Sequence, residues 1–329
     1  MPGFAVLYLP FEWLGQDIGD AVWQATGLAL LTYAAWSSCR DMDRDLRVRV
    51  LSIAFTISLP LVAGSFTNGQ ASIHIIAACW LMALAAFLDQ IPGVLLWTGI
   101  AITKPFAIVI ILFVAGLKPR MIPALAGGVA WMIALPWLAV DSTYALSLYR
   151  DCWSILTTMS MAKDFDSADF TAVAAALHWA AGPKTALLIR CAAALMTFLL
   201  ALGLFLRLPR NAAALAVIVL GASYMCLFNP RTEAVTYSIL ALPCAIVIGV
   251  HLCEGRERTL WLSAAAILVL IGCNGLSLWF LKLTQYWYRP VIVAVLLVLM
   301  AIAIRKSWAA SPNSKQTFDI PSSGPLAVP

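Results

Sequence analysis

The sequence predicts an all-α polytopic membrane protein, a single bundle of about eleven transmembrane or re-entrant helices, and three observations carry that prediction. The first is composition: 62% of the residues are hydrophobic, 11% are charged and the mean hydropathy is +0.90. Soluble domains carry about 25% charged residues, so this chain belongs in a bilayer. The second is the recurrence of apolar runs of spanning length, which must be helical because backbone exposed to lipid has to satisfy its own hydrogen bonds. The third is the alternation of basic residues with those runs. Despite a net charge of +5, that alternation encodes membrane orientation and not nucleic-acid binding.

Taken in order, the runs lie near 21–39, 48–65, 71–88, 91–103, 106–117, 121–140, 185–206, 211–228, 235–253, 259–281 and 290–304. The chain begins with a segment, residues 1–20, that holds no basic residue and whose aromatics and prolines suit an interfacial re-entry. Residues 141–184 form the longest polar stretch. Within it, Tyr144 to Met161 and Thr171 to Ala181 carry apolar residues at helical spacing, as interfacial helices do. Residues 1–306 read as one transmembrane domain, and 307–329, rich in Ser and Pro, as a disordered cytoplasmic tail. The eight cysteines show no CxxC or metal-type spacing and read as small core hydrophobes. No metal and no cofactor is expected.

The runs 91–103 and 106–117 are too short to cross about 30 Å of hydrocarbon comfortably. They form either a hairpin or one kinked helix with Lys104 at mid-depth, and the positions of the basic residues decide between them. A hairpin puts Arg40, Arg44, Arg47, Arg49, Lys118, Arg120, Arg207, Arg210, Arg256, Arg258, Arg305, Lys306 and Lys315 on one side, the majority of the chain's 21 basic residues. Fusing the runs moves the four arginines between 40 and 49 to the other side and erases the bias, so the hairpin is predicted. It places the C-terminus in the cytoplasm and both Lys104 and the N-terminus outside.

Soluble-enzyme motifs are missing: there is no GxGxxG, P-loop, HExxH or GxSxG. Unusual polar residues instead gather at the outer ends of the predicted spans. Lys104, flanked by apolar runs, would cost about 2.5–3.5 kcal/mol in lipid if left unpaired. A phosphate would repay its desolvation, with snorkelling to the headgroups as the structural alternative. Asn68 and Gln70 open the third run, and His74 follows Gln70 by four residues, on the same helix face. These side chains suit sugar or acceptor contacts, or alternatively a cap, a turn and a packed ring. At the corner Asn229-Pro230-Arg231-Thr232-Glu233, Arg231 offers bidentate contact to a phosphate, and Asn229 and Glu233 offer contacts to a sugar. The alternative there is a turn with its own ion pair. Arg190 reads as structural, Tyr286-Trp287-Tyr288-Arg289 as an aromatic belt, and His251 and Cys253 as remote from this cluster. No acid stands out as a general base. Asp141, at the outer end of the sixth run, and Glu233 are the candidates, and Asp169 is one of several other outer acids.

These residues resemble glycosyltransferase family 87, the membrane glycosyltransferases that include polyprenyl-phosphate-mannose-dependent mannosyltransferases. The resemblance lies in Tyr8-Leu9-Pro10 and the interfacial segment after it, Trp23, Gly69-Gln70, Lys104-Pro105 and Asn229-Pro230-Arg231, and spans about residues 1–250. It implies a GT-C-like helical bundle in the cytoplasmic membrane of a bacterium. It also implies inverting transfer of a hexose, mannose-like, from a polyprenyl phosphate to a lipid or glycan acceptor on the outer face. A carboxylate would deprotonate the acceptor and basic residues would stabilise the departing phosphate. The family's catalytic aspartate lies in a first outer loop after a first span. The present sequence starts inside what resembles the end of that loop, so the expectation is either an upstream span that precedes this start or a truncated relative of the family. The rival reading is a transporter or flippase for a lipid-linked sugar, which should show polar positions at both ends of its path or an internal repeat.

Overall fold

The computed structural model describes residues 2–67, 71–104, 107–161, 169–179, 182–229, 232, 234–255, 257–273 and 287–309. Each apolar run of the sequence corresponds to a helix: α1 (Pro2–Glu12) precedes α2 (Gln16–Ser38), α3 (Arg44–Thr67), α4 (Ser72–Phe87), α5 (Ile91–Ala101) and α6 (Ile108–Leu117). A 3-10 turn (Pro119–Met121) leads into α7 (Ile122–Ala134) and α8 (Pro136–Ala139). The polar segment holds α9 (Ser142–Met161) and α10 (Phe170–Ala176). There follow α11 (Pro183–Phe205), α12 (Arg210–Phe228), a 3-10 turn (Ala234–Tyr237), α13 (Ser238–Glu254), α14 (Arg258–Cys273) and a last helix, α15 (Tyr288–Ala309). No strand occurs among the described residues.

Five helical stretches are long and apolar enough to cross a membrane, Arg44–Ala63, Pro119–Ala139, Pro183–Phe205, Arg210–Phe228 and Tyr288–Lys306. Another five apolar helices, including α4, α5, α6 and α13, have 10–17 residues. The chain is therefore an all-α, multi-pass membrane protein.

The bundle is built around α4. All 16 of its residues are buried, as expected of a helix that is apolar on every side. It packs against α2, α5 and α12, while α13 packs against α3 and α14. At the periphery, α11 turns Leu187, Leu188, Leu195 and Leu199 outward, the face that lipid would cover.

The paired short helices form the predicted hairpin. Asp89, just before α5, and Lys118, just after α6, lie 3.2 Å apart. A continuous helix over 91–117 would have set them about 40 Å apart. The bundle thus has two recognisable ends. At the Asp89 end, Arg120 and Arg210 also reach Asp89, and Asn211 donates to Asp41. At the Lys104 end, the turn after α5 meets the start of α4, and Ser65 near the end of α3 donates to Ser238 at the start of α13.

Candidate active site at the Lys104 end

Lys104 follows α5 in a turn closed by the bond from its own N–H to the Ala101 carbonyl, 3.4 Å. Its half-buried ammonium donates to Ser72 Oγ at 3.1 Å. Ser72 opens α4, whose N-cap, Ala71, supplies no side-chain hydrogen bond. One ammonium, one hydroxyl and the uncapped backbone N–H groups of a helix start therefore meet at the edge of the core. That is the donor set of an anion site.

His74 lies two residues further into α4 and is only 5% exposed. Its ring stacks on Trp23 of α2 with centroids 3.6 Å apart. Nε2 lies 3.0 Å from the Trp23 carbonyl and 3.3 Å from Thr26 Oγ1, so Nε2 carries the proton and donates. The fit requires Gly27, because a Cβ there would lie 2.6 Å from His74 Cε1. The structure thus places His74 between helices, locking α2 to α4, and not in open contact with a ligand. One turn outward from Trp23, Tyr8 donates to Asp20 at 2.6 Å. That hydrogen bond holds the Tyr8 hydroxyl above its ordinary pKa, with burial and the charges of Asp20 and Glu12 adding to it. Phe4, Tyr8 and Phe11 of α1 all meet the Trp23 ring edge-on.

A second constellation stands at the junction of α10, α11 and α12. The Asp169 carboxylate is completely buried and forms an ion pair of 2.9 Å with Arg190 Nη2. It caps α10 by accepting from Thr171 N at 3.0 Å, and it also accepts from the Thr171 hydroxyl. Arg190 uses Nε to reach the Phe228 carbonyl at 3.0 Å and lies 5.3 Å over the Phe170 ring. Arg190 is therefore the structural residue expected from sequence: it fastens the segment before α10 to the end of α12, where the Asn229 corner begins. Asn229 leaves the helix in extended conformation, and its carbonyl accepts from Thr232 N at 3.2 Å.

Arg289, expected in an aromatic belt, is instead 8% exposed and lies 5.9 Å over the Tyr237 ring. Tyr237 in turn donates to the Cys226 carbonyl at 3.1 Å. Sequence reasoning passed over Ser72 and Tyr237, left Asp169 among several outer acids and read Arg289 as part of a belt. The last had a usable signal: like Lys104 it is a cation directly preceding a proline at a helix start.

Asp141 is exposed, and its Oδ1 accepts from the N–H groups of Thr143 and Tyr144 at 3.0 Å each. It is the cap of α9. Asn68, Gln70, Arg231 and Glu233 lie outside the described residues. His251 stacks on Trp261 at 4.3 Å and pairs with Glu254, at the end of α13, which places it at the Asp89 end. Among the described residues no three His, Cys, Asp or Glu side chains converge as a metal site would require.

Neither a curated protein nor a solved structure matches the chain. The profile of glycosyltransferase family 87 matches residues 1–230, a stretch that takes in the Tyr8 segment, Trp23, the α4 start, Lys104 and the end of α12. With that match over more than half of its length, the chain belongs to glycosyltransferase family 87.

Proposed function

We propose that this glycosyltransferase moves a hexose, mannose-like, from a polyprenyl phosphate to a lipid or glycan acceptor, and does so at the Lys104 end, on the extracytoplasmic face of the cytoplasmic membrane. The observation that carries the reading is the Lys104–Ser72 contact at the uncapped start of α4. An ammonium, a hydroxyl and free backbone donors suit the phosphate that departs as the glycosidic bond breaks. Arg231 supplies the second cation, and Asn68, Gln70 and Asn229 supply amides for sugar or acceptor hydroxyls. Glu233 is the carboxylate candidate for accepting the acceptor's proton. Asp141 is less suited, because its cap contacts already occupy it. His74 contributes by holding α2 against α4. Family membership favours enzymatic transfer over transport of a lipid-linked sugar.

The test is a transfer assay in membranes with labelled polyprenyl-phosphate hexoses. Lys104→Ala and Arg231→Ala should each lower donor use by at least ten-fold, about 1.4 kcal/mol of lost phosphate stabilisation. Normal turnover in both variants would remove the phosphate-site assignment.

A further inference from the structure

At the opposite end of the bundle, one carboxylate faces three cations. Asp89 Oδ1 lies 3.2 Å from Lys118 Nζ and 2.6 Å from Arg120 Nη2, and Oδ2 lies 3.8 Å from Arg210 Nη1. Lys118 is committed inward, its side chain 10% exposed, while the side chains of Arg120 and Arg210 are 63% and 65% exposed. The nearby Asp41 does not redress the balance, since it is engaged by Asn211 and Arg40.

The backbone adds donors. The helix starts at α5 and α12 lack a side-chain cap. Arg210 is itself the first residue of α12, where the helix dipole disfavours a cation. The C-termini of α4 and α6 end here too, and the partial charges of helix starts and helix ends nearly offset one another. A surplus of about two positive charges therefore stands, edged by uncapped N–H groups. Two residues along the chain from Asp89 and from Arg120, Ile91 and Ile122 are 57% and 49% exposed. Charge next to exposed aliphatic surface is the profile of a phospholipid, and a free phosphate would use only the charged part.

We propose that Arg120 and Arg210 bind the phosphate headgroup of an anionic phospholipid in the leaflet at the Asp89 end, while Lys118 holds Asp89 from the inner side. The lipid's acyl chains would lie along Ile91 and Ile122. This site is separate from the Lys104 end and does not depend on the sugar-transfer reading. A basic residue near an anionic headgroup contributes roughly five-fold in affinity, and Asp89 competes with the lipid for the same cations.

Native mass spectrometry of the detergent-purified full chain, with phosphatidylglycerol and phosphatidylcholine supplied together, tests the proposal. The protein should retain phosphatidylglycerol preferentially. Arg120→Gln should weaken retention about five-fold, and adding Arg210→Gln about twenty-five-fold. Asp89→Asn should strengthen it, a change of sign that mere stapling of the loops does not produce. Equal retention of the two lipids, undiminished retention in Arg120→Gln, or weakened retention in folded Asp89→Asn would overturn the proposal. Displacement of the lipid by millimolar inorganic phosphate would overturn the lipid assignment in favour of a free anion.

Discussion

Truncating Asp169 to alanine strikes a completely buried charge at the Lys104 end, and its cost follows from its ion pair and its cap. The carboxylate is completely buried, and its partner Arg190 is 21% exposed. Removing one member of such a pair strands the other charge in a poorly solvated place, which costs about 3–5 kcal/mol. Asp169 is also the α10 cap through Thr171 N, and loss of a cap costs about 1 kcal/mol, which pushes Asp169→Ala toward the upper part of that range. Unfolding of purified protein by SDS titration in mixed micelles measures the loss. The double variant Asp169→Asn with Arg190→Gln should be less destabilised than the sum of its parts, because neither member is then a stranded charge. The coupling should be about 1–3 kcal/mol. A loss under about 1 kcal/mol for Asp169→Ala would refute the reasoning, because that is what a solvated surface pair is worth.

Other outcomes follow from the same geometry. Burial pushes the Asp89 carboxyl up, but the Lys118 hydrogen bond and the charges of Lys118, Arg120 and Arg210 outweigh it and hold the group below its ordinary pKa of 3.8. Its contribution is thus present above that value and is lost as pH falls through the lower folded-state value. The stability difference between wild type and Asp89→Asn should be constant near neutrality and shrink in acid; a difference that grows on acidification would contradict the sign. Gly27→Ala should destabilise by about 1–3 kcal/mol, since the new methyl meets His74 Cε1 at 2.6 Å. Adding His74→Ala should make the Gly27→Ala change cheaper, as read by the same SDS titration; an unchanged cost would show that another contact decides it. The Lys104→Ala and Arg231→Ala transfer assays complete the set.

The parts of the fold legible in sequence were those that a one-dimensional rule can reach. Counting basic residues on alternate sides was enough to separate α5 from α6, because orientation depends on where charges fall along the chain and not on what they touch. The Asp89–Lys118 contact then closes that hairpin in space. Lys104 was legible for a similar reason, as a cation among apolar neighbours. Asp169 was not, because its burial is decided by an arginine 21 residues away and by the packing of Phe170 on Phe228. In sequence it sits in an acidic stretch like any solvated loop. His74 shows the limit of spacing arguments. Helical periodicity put it on the same face as Gln70, but its role depends on Trp23, 51 residues earlier, and on the missing side chain of Gly27. Arg289 failed for another reason: the aromatics beside it suggested a belt, whereas the Tyr237 ring it covers belongs to a different helix boundary. In each failure the deciding neighbour comes from another part of the chain. The Lys104 end is assembled almost entirely from such meetings of distant segments, so its cations were easier to read from the sequence than the contacts that hold them.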